Sequence, residues 1–232
     1  MKTTTDDTLA HMLMSLPLFL GMSRNDIHDM LRQGMIDCPV LPGDTLVAGE
    51  GELCRRLIIL AKGSIQASAT ADDHGYSIEE WVEAPHVIQP ERMFGLTNRF
   101  SRTFTTHGTA TLVVIDKADV VRMSDLYQIF RINLLNVIST HAQRLARMPW
   151  RHTVGDLRQR IVAFIASRCL TPTGEKHLLV KRDRLAAELA SNERYVSDEL
   201  RRMHEDRLLR TKRGCIIVDS LEYMLRHAAR HD

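Results

Sequence analysis

The most constraining feature of the sequence is the stretch 182–218, where two short helical patterns with a tight turn between them precede a strand–turn–strand pattern. The turn is built from two small residues, Ala190 and Ser191. Asn192 is expected to cap the second helix, because its side-chain oxygen accepts from the free amides of the first helical turn. The apolar stripes of the two helices are Leu185, Ala186 and Leu189, then Val196, Leu200 and Met203.

The strands after the second helix are predicted at Leu208-Leu209 and at 215–218, with a turn at 211–214. Two helices and a trailing hairpin are typical of a winged helix-turn-helix, whose second helix enters the DNA major groove. Arg194 is expected to bind guanine in bidentate fashion, and Glu193 to accept from cytosine. The candidate DNA-binding residues are Asn192, Glu193, Arg194, Tyr195, Ser197, Arg201, Lys212 and Arg213.

A plainer interpretation of the same stretch remains open, namely two ordinary amphipathic helices followed by a hairpin. In that case Arg201 and Arg202 are solvated and pair with Glu205, one helical turn further on. Charge favours the DNA interpretation, because residues 151–232 hold 17 Lys and Arg against 12 Asp and Glu, whereas residues 1–150 hold 14 against 17. The basic excess therefore lies where a phosphate-binding domain needs it.

Short strand patterns separated by turns fill residues 35–116 and predict a small antiparallel barrel or jelly roll. Leu57–Leu60 has the pattern of a buried strand, and Lys62-Gly63 is expected to form a tight turn before a further strand at 64–67. Residues 6–34 are predicted to be helical, with a break between Pro17 and Gly21 and a second helix capped by Ser23.

These motifs, in this order, resemble a known family. Pro42-Gly43-Asp44, Gly49-Glu50-Gly51 and 57–63 are similar to the cyclic-nucleotide-binding β-roll, and the long helix and winged helix-turn-helix after it complete the order of the Crp/Fnr family of transcription regulators. The resemblance implies a homodimer on a palindromic operator, with RNA polymerase as a further partner. The family commonly has Arg then Glu where this chain has Glu193-Arg194, so a different operator is expected.

The loop 93–103 resembles the family's phosphate-binding cassette, in which a Gly-Glu pair and a later Arg-Ser or Arg-Thr pair hold a cyclic nucleotide. Gly95, Arg102 and Thr103 match that pattern, whereas Leu96 stands in place of the glutamate. A leucine cannot accept from a ribose hydroxyl, and an unpaired buried hydroxyl costs about 1–3 kcal/mol. Gly95, Leu96, Arg102 and Thr103 are therefore the candidate effector residues, with cyclic AMP not expected and the effector unknown. A purely structural role for the loop remains open.

The longest helical pattern runs from Ser124, the expected cap, to Arg147. Its apolar seam predicts pairing with the same helix of a second copy, because a helix this long has little cover from a small barrel alone. The seam residues are Phe130, Leu134, Val137, Ile138, His141 and Leu145. Pro149 is expected to end the helix and form the joint between domains. Thr153 is then the expected cap of a helix that begins at Val154.

Several functional classes lack their sequence signatures. No apolar run is long enough for a membrane span, and the expected location is the cytoplasm. The four cysteines are scattered without metal-ligand spacing, and no metal site is predicted. Haem would need an axial ligand such as His74, His86 or His107, although a lone histidine is more often a surface residue. No catalytic motif is present, so an enzyme is not expected.

Together these patterns predict an α+β protein with an N-terminal antiparallel β-roll of the jelly-roll kind, a long dimerisation helix and a C-terminal winged helix-turn-helix. The expected domains are a sensor at 1–123, a dimerisation helix and hinge at 124–150, and a DNA-binding domain at 151–232. The hypothesis is a homodimeric, sequence-specific transcription regulator that binds double-stranded DNA. The alternative is a ligand-binding or protein-docking module without DNA function.

Overall fold

The structure is a computed structural model that describes residues 2–147 and 156–228. The chain forms two units: unit 1 comprises Met1–Ile65 and Glu83–Ala146, and unit 2 comprises Gln66–Val82 and Arg147–Asp232. The segment 66–82, which the sequence analysis placed within the sensor domain, therefore groups with the C-terminal part of the chain. None of the described helices is long and apolar enough to cross a membrane.

Unit 1 begins with helices α1 (Lys2–Met14) and α2 (Arg24–Arg32). The predicted cap of α2 is confirmed, because the Ser23 hydroxyl accepts from the amide of Asp26 at 3.1 Å. The strands that follow are antiparallel, in the order β1-β6-β3, with β2 on β6 and β5 on β3. The strands in this part of the chain are β1 Val40–Leu41, β2 Leu46–Ala48, β3 Arg56–Thr70, β4 Tyr76–Glu83, β5 His86–Ile88 and β6 Thr103–Asp116. The end of β3 and nearly all of β4 fall in the segment 66–82, which belongs to unit 2.

The expected turn at Lys62-Gly63 is wrong, because β3 runs through both residues without interruption. Gly63 has a φ of +86°, and a Cβ built on it would lie 2.5 Å from the carbonyl oxygen of Thr109. The glycine therefore permits a close approach between β3 and β6 rather than a reversal of the chain. Sequence alone does not distinguish these two uses of a glycine between apolar runs.

The long helix begins later than expected. Helix α3 spans Lys117–Leu126, Tyr127 is extended, and helix α4 spans Gln128–Arg147. Ser124 is therefore not a cap, and its hydroxyl donates within α3 to the carbonyl oxygen of Val120 at 2.7 Å. The predicted joint at Pro149 and the cap at Thr153 lie outside the described residues, and helix α5 is capped by Asp156, whose carboxylate accepts from Gln159 at 2.9 Å.

The predicted seam of α4 is only partly available to a partner. Phe130 and Leu134 are buried within unit 1, and the Phe130 ring packs on Phe19 with a centroid distance of 5.8 Å. Among the described side chains of α4, the exposed large apolar ones lie on another stripe, at Ile129, Ile132 and Leu135, and the predicted seam residue Leu145 is outside the described side chains. Apolar residues at helical spacing occur on both of these faces of α4. The sequence pattern alone therefore did not show which face packs within unit 1.

Unit 2 contains two helices joined by a turn and followed by a hairpin, as predicted. Its elements are α5 Leu157–Ala166, β7 Lys176–Val180, α6 Arg182–Glu188, α7 Glu193–Glu205, β8 Arg210–Lys212, β9 Cys215–Val218 and α8 Leu221–His227. All six predicted stripe residues of α6 and α7 lie in its core. The strand expected at Leu208-Leu209 begins instead at Arg210, because both leucines are buried in the core before the chain enters the hairpin.

The segment 66–82 is integral to unit 2. Strand β4 pairs antiparallel with β7, which pairs with β9, and β9 pairs with β8. At one end of the β4–β7 ladder Glu80 and Lys176 form a fully buried ion pair with an O–N distance of 3.0 Å. Glu80 also accepts from the amide of Leu170 at 2.7 Å, and the Lys176 ammonium donates to the carbonyl oxygen of Thr173 at 2.7 Å. Both charges are therefore compensated inside the core.

Candidate functional site

Helix α7 is held on the core by one face and leaves the other face exposed. Its N-terminus is capped as predicted, because the Asn192 side chain accepts from the amide of Arg194 at 2.7 Å. Val196, Leu200 and Met203 are buried, at 0%, 1% and 0% exposure. The side chains between them consequently project away from the core.

Two arginines that the sequence pattern did not single out fix the position of α7 and of the end of α6. The buried Arg158 guanidinium on α5 binds Glu199 at 2.6 Å and Asp206 at 2.8 Å. Arg160, also on α5, donates at 2.6 Å to the carbonyl oxygen of Leu189, where α6 ends. The amphipathic pattern of α5 gave only a weak indication of this role, because positioning depends on partners far along the chain.

The ion pair with Arg158 also shapes the charge of the exposed face. Glu199 and Asp206 are compensated on the inner side of α7, and Asp198 is paired with Arg201 at 3.0 Å. Four of the candidate residues at the start of α7 are exposed: Glu193, Arg194, Tyr195 and Ser197. No described residue pairs with the Arg194 guanidinium through a hydrogen bond or an ion pair. The exposed face of α7 therefore carries a cation, Arg194, that is available to a ligand.

The alternative pairing of the arginines with Glu205 is wrong. Arg201 pairs with Asp198, and Arg202 lies 3.5 Å from Glu199, so both arginines bind acids one turn before them. Both arginine side chains are about two-thirds exposed, and exposed helical pairs contribute little to stability. Such pairs exchange readily for other anions.

The hairpin places two further cations at its tip. Lys212 of β8 lies opposite Cys215 of β9 in the strand register, so Arg213 and Gly214 form a tight turn. Gly214 adopts a φ of +71° in this turn. Lys212 and Arg213 are exposed. Arg210, by contrast, is paired with Asp219 and with Glu175, at 3.0 Å from the latter. Its hydrogen bond holds the pKa of Asp219 below the usual range. Only the tip of the hairpin therefore offers cations to a partner.

The candidate effector loop has a different geometry from the one expected of a nucleotide cassette. Gly95 has a φ of +99°, and the side chain of Leu96 is fully exposed. The Thr103 hydroxyl accepts from the amide of Glu50 at 3.1 Å. Arg102 is half-buried. Leu96 thus contributes no wall to an enclosed site, and the Thr103 hydroxyl already has a partner.

A hydrogen-bonded pair that the sequence did not reveal lies beside Arg102. Gln89 is 4% exposed and has a φ of +37°. Its side-chain oxygen accepts from the amide of Ser101 at 3.0 Å, and its side-chain nitrogen donates to the Ser101 hydroxyl at 2.6 Å. The amide and the hydroxyl of Ser101, the residue before Arg102, therefore both have a partner already.

The three histidines considered as haem ligands lie on different elements. His74 lies in the loop between β3 and β4, His107 is exposed on β6, and His86 begins β5. The His86 ring lies 6.2 Å from that of His141. Within 2–147 and 156–228, no three His, Cys, Asp or Glu side chains form a group that could hold a metal ion.

The buried thiol of Cys54 is not activated, although Arg55 and Arg56 follow it in the sequence. Burial, with a contribution from Glu91, raises its pKa to about 11. Burial also raises the pKa of Cys38 to about 11. Both thiols are therefore protonated near neutral pH and poor nucleophiles.

No protein-family model matches this chain, and no curated protein sequence is similar to it. Among solved structures, the catabolite activator protein of Thermus thermophilus is 15% identical, with 92% of this chain and 98% of that chain covered and a TM-score of 0.51. The chain has the catabolite-activator fold. The predicted resemblance to Crp/Fnr regulators is thereby confirmed at the level of the fold.

Two further structures resemble parts of this chain. The sensor domain of the transcriptional regulator DNR from Pseudomonas aeruginosa is 19% identical over 56% of this chain and 91% of its own, with a TM-score of 0.45. A cAMP-binding acyltransferase from Mycobacterium smegmatis is 17% identical over 62% of this chain and 42% of its own, with a TM-score of 0.48. The catabolite-activator fold rests on the Thermus protein, whose coverage is nearly complete.

Proposed function

We propose that this chain is a homodimeric, sequence-specific DNA-binding transcription regulator of the Crp/Fnr type, located in the cytoplasm, without enzymatic activity. In this proposal α6, α7 and the β8–β9 hairpin form a winged helix-turn-helix within the domain 151–232. The observation that carries it is the exposed start of α7, where Arg194 has no described partner while the acids behind it are bound by Arg158.

The residues divide into base readers and phosphate contacts. Arg194 reads a guanine, because its guanidinium is free to make two parallel hydrogen bonds, and Glu193 accepts from cytosine. Ser197 also faces base edges, one turn further along the exposed face. Asn192, Tyr195 and Arg201 on α7 and Lys212 and Arg213 on the hairpin contact phosphates.

In this proposal, a second copy of the chain completes the DNA-binding surface. The large apolar side chains of Ile129, Ile132 and Leu135 are 42%, 47% and 58% exposed on one stripe of α4. Such a stripe is costly in water and is covered when two copies of α4 pair. Twofold symmetry would then separate the two α7 helices by about 34 Å, one turn of B-DNA, to match a palindromic operator. RNA polymerase is the further partner in this proposal.

The experiment selects binding duplexes from a random library and measures affinity across a salt series. The wild-type affinity should fall steeply with salt, because cations on the protein release counterions from the phosphates. Arg194→Ala should remove about 1–3 kcal/mol of discrimination among operators. Lys212→Ala should weaken all duplexes about equally and reduce the salt slope by about 1.

Arg226→Ala is the matched control, because Arg226 is exposed on α8 and paired with Glu222. It should leave both affinity and preference unchanged. Absence of salt-dependent DNA retention would favour the alternative of a ligand-binding or docking module. An equal loss on every duplex for Arg194→Ala would reject Arg194 as a base reader while leaving DNA binding intact.

A further inference from the structure

Unit 1 contains a cleft of about 420 Å³ beside one face of α4. Its apolar side is formed by Pro17, Leu20 and Val137 among others. The turn that carries Leu20 is fixed to α4, because the Asn133 side chain donates to the carbonyl oxygens of Leu18 at 3.1 Å and Leu20 at 2.9 Å. The cleft is therefore preformed, and its volume lies in the range of about 300–1,000 Å³ that small-molecule sites occupy.

The cleft is also lined by hydrogen-bond donors and by a guanidinium. Arg144, His86 and His141 line it together with Asn136 and Thr140. No carboxylate is among the described residues that line this cleft. The Arg144 guanidinium is exposed at the edge of α4 and makes no ion pair with a described residue. The His141 ring lies 3.5 Å from the Glu91 carboxylate, and burial lowers the pKa of His141, so the positive charge of the cleft comes from Arg144. A cavity that joins apolar side chains to a guanidinium is complementary to an anion with an apolar body.

We propose that this cleft binds a small organic carboxylate. Arg144 pairs with the carboxylate through parallel hydrogen bonds, Asn136 and Thr140 donate to the same group, and the apolar body packs on Leu20 and Val137. A carboxylate suits this geometry because its two oxygens match the fork of a guanidinium.

This inference rests on the proposed function, because it makes the cleft the effector site of that regulator in place of the loop at 95–103. The Ser101 groups beside that loop are occupied by Gln89, whereas the cleft is open. The cleft residues Asn133, Val137 and Arg144 belong to α4, the helix proposed to pair with a second copy. A ligand there would contact the dimerisation helix directly.

The experiment titrates the full-length protein with phenylacetate, benzoate and butyrate, and with the neutral amide of each acid. Imidazole signals of His86 and His141 are followed by NMR. At least one acid should shift both signals in a saturable manner, with its amide binding at least tenfold more weakly. Arg144→Gln should abolish that preference for the acid. Arg131→Gln is the matched control, because Arg131 is exposed on α4 but outside the cleft.

The proposal is overturned if no acid of the series binds, if amides bind as well as acids, or if Arg144→Gln keeps the preference. A second copy covering the cleft would instead appear as a changed dimer equilibrium in Arg144→Gln without acid binding, which also overturns it. DNA retention is measured on the same samples. Acid binding without DNA retention would reject the proposed function and keep the ligand site. DNA retention without acid binding would reject the ligand site and keep the proposed function.

Discussion

At the scale of single residues, the buried pair of Glu80 and Lys176 is the strongest test of unit 2. Both side chains are fully buried. Lys176→Met should lower the free energy of unfolding by about 3–5 kcal/mol, because it leaves the Glu80 carboxylate in the core without its countercharge. The double variant Glu80→Leu with Lys176→Met should recover most of that loss, since two apolar groups need no compensation.

Urea unfolding followed by circular dichroism measures both changes. The control is Arg226→Ala, which breaks an exposed pair with Glu222 and should change stability by no more than about 0.5 kcal/mol. A Lys176→Met variant as stable as the control would mean that the pair is not buried in solution.

The backbone sets a second test at the same scale. Gly174 has a φ of +81°, and a Cβ on it would lie 2.2 Å from the carbonyl oxygen of Trp81. Gly214 has a φ of +71°, with no atom within 4 Å of its added Cβ. Gly214→Ala should therefore cost about 1–2 kcal/mol from conformation alone. Gly174→Ala should lower the free energy of unfolding by at least about 2 kcal/mol more, because its methyl group would also clash with the Trp81 carbonyl oxygen.

Thermal unfolding of the two alanine variants separates these contributions. Equal melting temperatures would show that β4 moves away from Gly174 without cost, contrary to the close contact seen in the fold.

At the scale of elements, the proposed dimer depends on the exposed stripe of α4. Ile132→Glu and Leu135→Glu should each raise the dimer dissociation constant at least tenfold, equivalent to about 1.4 kcal/mol, because a charge would be buried between helices. Sedimentation equilibrium measures the constant. Leu46→Glu is the control, since Leu46 is 57% exposed and belongs to β2 rather than to α4. Dimers that survive both α4 changes must use another surface.

Elements whose cause is local could be predicted from the sequence. Ser23 and Asn192 cap their helices through side-chain contacts within three residues, and the stripe of α7 follows from helical spacing. Ser124 and Gly63 were misassigned because their roles depend on how α3 continues and on how closely β6 passes. Caps and turns are local chemistry, whereas close approach of strands is set by tertiary packing.

The candidate site divides along the same line. The exposed cations of α7 and of the hairpin tip followed from periodicity and turn chemistry. The residues that position the site could not be predicted in this way. Arg158 contacts Glu199 from another helix, and Gln89 contacts Ser101 across a loop. Such pairs have no local pattern in one sequence. The division of α4 into a buried and an exposed stripe likewise required the cover that unit 1 provides.

At the scale of the whole molecule, unit 2 is assembled from two separate parts of the chain. Besides the β4–β7 ladder, Asp73 pairs with Arg184 at 2.6 Å, and the Tyr76 ring packs on Phe164 with a centroid distance of 5.4 Å. The hairpin between β3 and β4 is thus part of the fold proposed to bind DNA. A fragment that begins after α4 would lack a strand of its own sheet.

Native-state hydrogen exchange on the full chain tests this assembly, because amides that open together report one cooperative unit. Leu200→Ala, in the core of unit 2, should cost about 2–5 kcal/mol and lower the protection of β4 amides in parallel with those of β7. Leu112→Ala, equally buried in unit 1, should lower protection in β6 and leave β4 unchanged. If the β4 amides instead follow β6 in both variants, the hairpin belongs energetically to the β-roll. The helix-turn-helix part would then be a separate cooperative unit that folds without β4.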